Sequence, residues 1–148
     1  MKKMSRLARE KAVDVAQRAA KFLADDSRIR VVYLFGSIAD SKTQQPRDLD
    51  LAMLADPEIS LDEQLRIRAD LVLESEVNID LVSLNHASVV LAREVVDHGV
   101  CLFTRTPEDE VEFVTRARSR YWDFSPYLSA QWKAAGERTE ARVRGPEA

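Results

Sequence analysis

The spacing of apolar positions along the chain predicts helices that alternate with strands. Apolar residues recur every three or four positions over residues 5–26, which is typical of an amphipathic helix. The run at 30–35 is rich in β-branched and aromatic residues and indicates a buried strand, and the largely apolar segment 49–54 predicts a second strand. The intervening segment 40–47 is polar and contains Pro46, so it predicts a loop.

The second half of the chain continues this alternation. Ser60 and Glu63 have the spacing of a capping box, which predicts a helix that begins after Ser60. The apolar residues at helical spacing in that helix, which predict its inward face, are Leu61, Leu65, Ala69, Val72 and Leu73. The remaining predicted elements are a strand at 77–84, a helix at 87–98 with Asn85 as its cap and Gly99 as its end, a strand at 100–103 and a helix from Pro107.

The end of the chain becomes polar. Pro126 predicts a kink or a restart of the last helix, because proline cannot donate the backbone hydrogen bond that a helix interior requires. From Gly136 onward the composition predicts a frayed tail. The element order therefore predicts one α/β domain over residues 1–135, a small mixed sheet flanked by helices, followed by a polar tail at 136–148.

Composition and charge narrow the class of protein. The chain has 148 residues, of which 45% are hydrophobic and 32% charged, as in ordinary globular proteins. Its net charge of −3 offers no general basic field, which makes a nucleic-acid partner improbable. No segment approaches the ~20 apolar residues of a membrane span. With no signal-peptide pattern either, we expect a cytoplasmic protein without a membrane partner. The single cysteine, Cys101, is interpreted as a small buried hydrophobe.

Candidate chemistry lies where the first two predicted strands meet the polar loop. Gly36 and Ser37 end one strand, and backbone N–H groups at such a turn can bind phosphate. Asp48 and Asp50 begin the next strand, where alternate residues share a face. Two ionised carboxylates so close together are unfavourable without a cation between them. A third carboxylate, Asp80, lies within a later apolar strand, so the pattern predicts a divalent metal beside a nucleotide triphosphate.

These motifs resemble the DNA polymerase β-like nucleotidyltransferase superfamily, and the length and the segment 121–128 resemble its minimal nucleotidyltransferases (MNT). MNT proteins are antitoxins of HEPN-domain toxins. The resemblance covers roughly residues 28–132. It implies a polymerase β-like fold and transfer of AMP from ATP to a tyrosine of a HEPN-type ribonuclease toxin, which neutralises the toxin.

The same resemblance implies residue roles. Asp48 and Asp50 would coordinate two Mg²⁺ ions, and Asp80 would join one of them and act as general base. Gly36 and Ser37 would hold the triphosphate. The chain departs from the family pattern after this pair, since Asp40 and Ser41 stand where Arg-Gly is common, and Arg47 is interpreted as the replacement for the lost positive charge at the nucleotide.

Two groups on the last predicted helix suggest partner surfaces. Arg116, Arg118 and Arg120 fan around the helix at two-residue spacing, which favours a solvated surface over an RNA groove. The aromatic residues on this helix exceed what one helix end needs for the core, so part of the group is predicted to contact the toxin. This group consists of Tyr121, Trp122, Phe124, Tyr127 and Trp132.

The sequence leaves three functions open. The first is a protein adenylyltransferase that acts as an antitoxin. The second is an antitoxin that only binds its toxin, which the Asp40 and Ser41 departures favour. The third is a nucleotidyltransferase for small molecules such as aminoglycosides, which usually needs a further helical domain for the acceptor. The acidic residues also have interpretations without catalysis. Asp48 and Asp50 are then solvated carboxylates, and Asp80 is a carboxylate paired with a nearby arginine.

Overall fold

The computed structural model describes residues 6–36 and 49–144, with side chains described from 10 to 36 and from 49 to 136. The predicted order of helices and strands is confirmed for these residues. The elements are α1 (Arg6–Ala24), β1 (Ile29–Phe35), β2 (Leu49–Ala55), α2 (Leu61–Ser75), β3 (Ile79–Ser83), a single 3₁₀ turn (Leu84–His86), α3 (Val89–His98), β4 (Val100–Thr104) and α4 (Pro107–Arg144).

The four described strands form one mixed sheet in the order β3-β2-β1-β4. β1 lies at the centre and pairs antiparallel with both β2 and β4, whereas β3 pairs parallel with β2. A parallel pair needs a crossover, and α2 provides it. The predicted small mixed sheet flanked by helices is therefore confirmed.

Each face of the sheet has its own apolar core. Leu49, Leu51 and Met53 of β2 pack with the buried face of α1 and with Leu71 of α2. Ala52, which points the other way, belongs to a second cluster with residues of α3 and α4. Because side chains alternate along a strand, the two clusters fill opposite sides of the sheet.

Asn85 differs from its prediction as a helix cap. Ser88 is the N-cap of α3, and its hydroxyl accepts the backbone N–H of Leu91. The Asn85 side chain instead donates to the carbonyl of Ala55 and accepts the N–H of Ala55, at 2.8 and 3.0 Å. An asparagine amide carries a donor and an acceptor side by side, so it pairs with the end of β2 as another strand residue would.

The apolar face predicted for α2 is wrong except at Val72, which packs against the core. Leu61, Leu65 and Leu73 are exposed at 67, 55 and 79%, and Leu71 is the fully buried residue of this helix. The capping box itself is confirmed, since the Ser60 hydroxyl accepts the Glu63 N–H. The side of α2 that faces the sheet also carries Gln64 and Arg68, which donate hydrogen bonds to backbone carbonyls of β3.

The last helix is longer than predicted. α4 runs without interruption from Pro107 to Arg144, with Pro126 inside it, so the helix does not restart at that proline. It also continues beyond Gly136, where composition predicted a frayed tail. The domain limits at 1–135 and 136–148 remain a prediction. None of the helices in the described part of the chain is long and apolar enough to cross a membrane.

Candidate active site

The register of the sheet brings two of the predicted carboxylates together. Asp50 of β2 and Asp80 of β3 are direct partners in the parallel pairing. Adjacent strands lie about 4.8 Å apart, and paired residues on them share a face of the sheet. On this face, Asp50 and Asp80 lie beyond the apolar positions that α3 and α4 cover. Two residues 30 positions apart in the sequence therefore form one acidic site at the edge of the core.

Gly36 closes the site from the side of β1. Its neighbour Phe35 pairs with Asp50 across the antiparallel ladder. Gly36 has a φ of +76°, a conformation that glycine adopts without the steric cost other residues incur. A Cβ at this position would lie 2.2 Å from Oδ2 of Asp50 and 3.0 Å from its Cγ. The missing side chain is thus what allows the backbone turn and the Asp50 carboxylate to occupy adjacent space.

Asp80 is the more open of the two carboxylates. Its side chain is 63% exposed, and Oδ1 lies 4.0 Å from Nε of Arg68. The alternative interpretation of Asp80, a carboxylate beside an arginine, therefore describes a real contact. The contact is long for an ion pair, and exposed pairs of this kind contribute little to stability. It leaves carboxylate oxygens of Asp80 accessible from solvent.

The other predicted site residues lie outside the described residues. These are Ser37, Arg47 and Asp48, together with the departures Asp40 and Ser41. In the described parts, 6–36 and 49–144, no three histidine, cysteine or acidic side chains form a group that could hold a metal ion. Asp48, the third predicted ligand, is adjacent in sequence to the start of β2.

The donor set fits a hard divalent cation. Mg²⁺ binds carboxylate oxygens, keeps several waters and typically shares its remaining positions with phosphate oxygens. Asp50 and Asp80 supply two carboxylates side by side, one half-buried and one exposed. Their mutual repulsion falls when a cation lies between them. The two side chains are thus of the chemical type that suits a hard divalent cation.

A pocket of about 400 Å³ lies at the other end of the sheet from Asp50 and Asp80, and no sequence pattern predicts it. Its floor is apolar and its rim carries charges of both signs, including Arg30, Arg116 and Arg120 opposite Asp56 and Glu58. Helix and loop segments distant in sequence form it, so no local motif could have revealed it. The pocket is separate from Asp50 and Asp80, because it lies where β1 begins and β2 ends.

Two titratable groups near the α4 core are poor candidates for chemistry. Burial raises the pKa of the Cys101 thiol to about 11, so this thiol is protonated at neutral pH. Burial likewise raises the pKa of Tyr33, whose hydroxyl faces Glu110 at 3.4 Å and whose ring packs on Phe113. Cys101 is half-buried, close to its interpretation as a small hydrophobe.

Phe113 of α4 packs in the core, and the aromatic residues that follow it divide into one held against α3 and four that are exposed. The Arg93 guanidinium lies 3.8 Å from the centre of the Tyr121 ring, which ties α4 to α3. The others are exposed: Trp122 at 80%, Trp132 at 61%, Tyr127 at 57% and Phe124 at 46%. We call these four residues the aromatic surface of α4.

Comparisons with known proteins agree with this geometry. Residues 17–108 match the family described as polymerase beta, nucleotidyltransferase. The protein adenylyltransferase MntA of Shewanella oneidensis is 30% identical over 102 residues, which are 68% of this chain and 73% of MntA.

Solved structures give the same likeness over more of the chain. A chain from a toxin–antitoxin complex with AMP-PNP is 28% identical with a TM-score of 0.66, and the match covers 84% of this chain and 98% of that one. A chain from the MntA–HepT toxin–antitoxin complex is 26% identical with a TM-score of 0.64, covering 86% and 97%. The predicted polymerase β-like fold is confirmed.

Proposed function

Because the chain belongs to the polymerase beta nucleotidyltransferase family and, within it, to the minimal nucleotidyltransferases that include MntA, we propose that it is an adenylylating antitoxin. Its substrates are ATP and a tyrosine of a HEPN-type ribonuclease toxin. The attached AMP neutralises the toxin. The observation that carries the proposal is the pairing of Asp50 with Asp80 beside a glycine that has no room for a side chain.

The reaction is the displacement of pyrophosphate from ATP. The tyrosine oxygen attacks the α-phosphorus, the bond from that phosphorus to the bridging oxygen breaks, and the phenolic proton moves to Asp80. Asp80 suits the role of base because its carboxylate is exposed and lies beside Asp50. Bound Mg²⁺, held by Asp48, Asp50 and Asp80, would stabilise the charge that develops on the entering and leaving oxygens.

The turn after β1 binds the triphosphate in this proposal. At Gly36 the backbone can approach a phosphate closely, since no Cβ intervenes. Ser37 adds an N–H and a hydroxyl, and Arg47 adds the positive charge that Asp40 does not provide. These three assignments follow from the residue chemistry and the family resemblance.

Replacing either described carboxylate by its amide should abolish AMP transfer. Asp50→Asn and Asp80→Asn keep the side-chain volume but remove the charge that balances a divalent cation. The measurement is the intact mass of the toxin encoded beside this protein after incubation with ATP and Mg²⁺. We expect mass increments of AMP with the unaltered protein and none with either variant or in excess chelator.

The matched control is Asp70→Asn, an exposed acid on α2 away from the site, which should leave transfer unchanged. Continued transfer by both site variants would contradict the proposal. A tight complex that shows no mass change even with the unaltered protein would favour the antitoxin that only binds its toxin. The Asp40 and Ser41 departures would then be the first residues to revert to arginine and glycine.

The aromatic surface of α4 is the toxin-binding surface in this proposal. Exposed tryptophan and tyrosine side chains are enriched among residues that dominate protein interfaces. They lie on the part of α4 that extends past Tyr121, where nearly every described side chain is exposed. A long exposed helix of this kind gains most of its stability from packing against another surface.

Trp122→Ala should weaken toxin binding by about 30-fold or more, the effect of losing an interface hot spot. The matched control is Leu73→Ala on α2, because Leu73 is exposed at 79% and Trp122 at 80%. Isothermal titration calorimetry with the toxin measures both. Equal affinities for the two variants would show that the toxin does not bind at Trp122.

A further inference from the structure

β3 is an edge strand, and one of the proposed catalytic residues lies on it. Among the described strands, β3 pairs only with β2, so one side of its backbone lacks a strand partner. The Asn78 carbonyl points towards β2, where it accepts the N–H of Leu49. Since carbonyl directions alternate along a strand, those of Ile79 and Leu81 point away from β2. These two residues flank Asp80.

Two side chains of α2 bind these outward carbonyls. Gln64 Nε2 donates to the Leu81 carbonyl at 2.9 Å, and Arg68 Nε donates to the Ile79 carbonyl at 2.9 Å. Residues four apart on a helix stand about 6 Å apart along its axis, which is close to the rise of two strand residues. One helical turn of α2 therefore matches the interval between the two carbonyls, and Asp80 lies between the two points of attachment.

The same two residues account for the orientation of α2. With Gln64 and Arg68 turned towards the edge of the sheet, Leu61 and Leu65 are left exposed. A helix oriented by apolar burial alone would turn those leucines inward. The helix thus has two polar contacts to β3 in place of additional apolar packing. We call these two residues, Gln64 and Arg68, the clamp.

We propose that Gln64 and Arg68 are positioning residues for AMP transfer, which hold β3 so that Asp80 stays beside Asp50. The inference rests on the proposed function, because it requires Asp80 to act in the reaction. Edge strands detach from a sheet more readily than central ones, since one of their ladders is missing. The clamp replaces that ladder at the two residues on either side of the catalytic position. Nε of Arg68 also lies 4.0 Å from Asp80 Oδ1.

The test uses variants that keep the shape of each side chain and remove its donor. Gln64→Glu cannot donate to the Leu81 carbonyl, and Arg68→Met keeps the aliphatic stem but no N–H group. Each should lower kcat for AMP transfer to the toxin by about 10- to 100-fold, the usual effect of losing a group that orients a metal ligand. We expect KM for ATP to change less than twofold, and the Mg²⁺ concentration for half-maximal rate to rise. Arg68→Lys, which retains a donor, should recover most of the rate.

The control is Arg66→Met on the same helix, where the described structure shows no partner for the side chain; its rate and Mg²⁺ dependence should match the unaltered protein. Melting temperatures measured without ATP and Mg²⁺ identify a variant that is simply unfolded. A folded Arg68→Met and a folded Gln64→Glu with unchanged kcat would overturn the inference. If Asp80→Asn retains full transfer, the proposed role of Asp80 in the reaction is wrong. Any lower rate of Gln64→Glu or Arg68→Met would then have a cause other than the position of Asp80.

Discussion

Gly36→Ala should reduce AMP transfer by about 100-fold or more, the largest effect that we expect from adding a single methyl group to this chain. The new Cβ would lie 2.2 Å from Oδ2 of Asp50, a distance that neither atom can accept. Because Gly36 has a φ of +76°, alanine would also strain the turn. The Asp50 carboxylate or the backbone has to move, and a displacement of about 1 Å in a catalytic group costs roughly 100-fold in rate. Single-turnover transfer of AMP to the toxin measures this effect.

Gly136→Ala is the matched control, since a Cβ there meets no atom within 4 Å. It should leave transfer unchanged, because alanine suits a helix interior better than glycine does. Binding of the toxin by the aromatic surface of α4 should survive Gly36→Ala, as that surface is on another element. Transfer by Gly36→Ala at the unaltered rate would show that the Asp50 carboxylate is not placed as the structure has it during catalysis.

Arg105→Ala should lower the free energy of unfolding by about 2–4 kcal/mol, the effect of removing several hydrogen bonds from one charged group. The Arg105 guanidinium donates to the carbonyls of Ala24, Asp26 and Ile29, at 2.8, 3.0 and 3.2 Å. Ala24 is the last residue of α1, and the final carbonyls of a helix lack partners within it. Arg105 thus joins the end of α1 and the start of β1 to the segment after β4.

Urea denaturation measures this effect, and we expect a lower midpoint with an unchanged m-value. The control is Arg116→Ala, because Arg116 makes an exposed pair with Glu112 one turn away, worth about 0.5 kcal/mol or less. Arg105→Lys should fall between the two, since an ammonium group lacks the planar fork that reaches three carbonyls. Equal midpoints for Arg105→Ala and Arg116→Ala would show that these carbonyls are solvated without cost.

Local patterns succeeded wherever one stretch of chain decides the outcome. The run at β1 is a buried strand because its β-branched and aromatic residues fit a pleated surface. β2 is buried because Leu49, Leu51 and Met53 alternate along it and fill the core. The Ser60 cap is a local hydrogen bond between residues three apart, so the sequence contains all of its information.

The errors arose where a distant partner competes for a residue. Asn85 has the chemistry of a helix cap, but the end of β2 offers it both a donor and an acceptor on Ala55. The leucines of α2 have helical spacing, but the carbonyls of β3 bind Gln64 and Arg68 on another side of that helix. In both cases the deciding contact comes from elsewhere in the fold. Pro126 costs one backbone hydrogen bond, and α4 does not restart at it; the other predicted outcome, a kink at this proline, stays a prediction.

By itself, the sequence determined the alternation of helices and strands, the class of fold and the residue types that suit a metal and a phosphate. These follow from periodicity, capping and side-chain chemistry, all of which act over a few residues. Only the tertiary structure decided that Asp80 pairs with Asp50, that Gly36 has no room for a side chain, and that α2 clamps the edge strand. Strand register and helix rotation minimise the free energy of the whole chain, so no short segment contains that information.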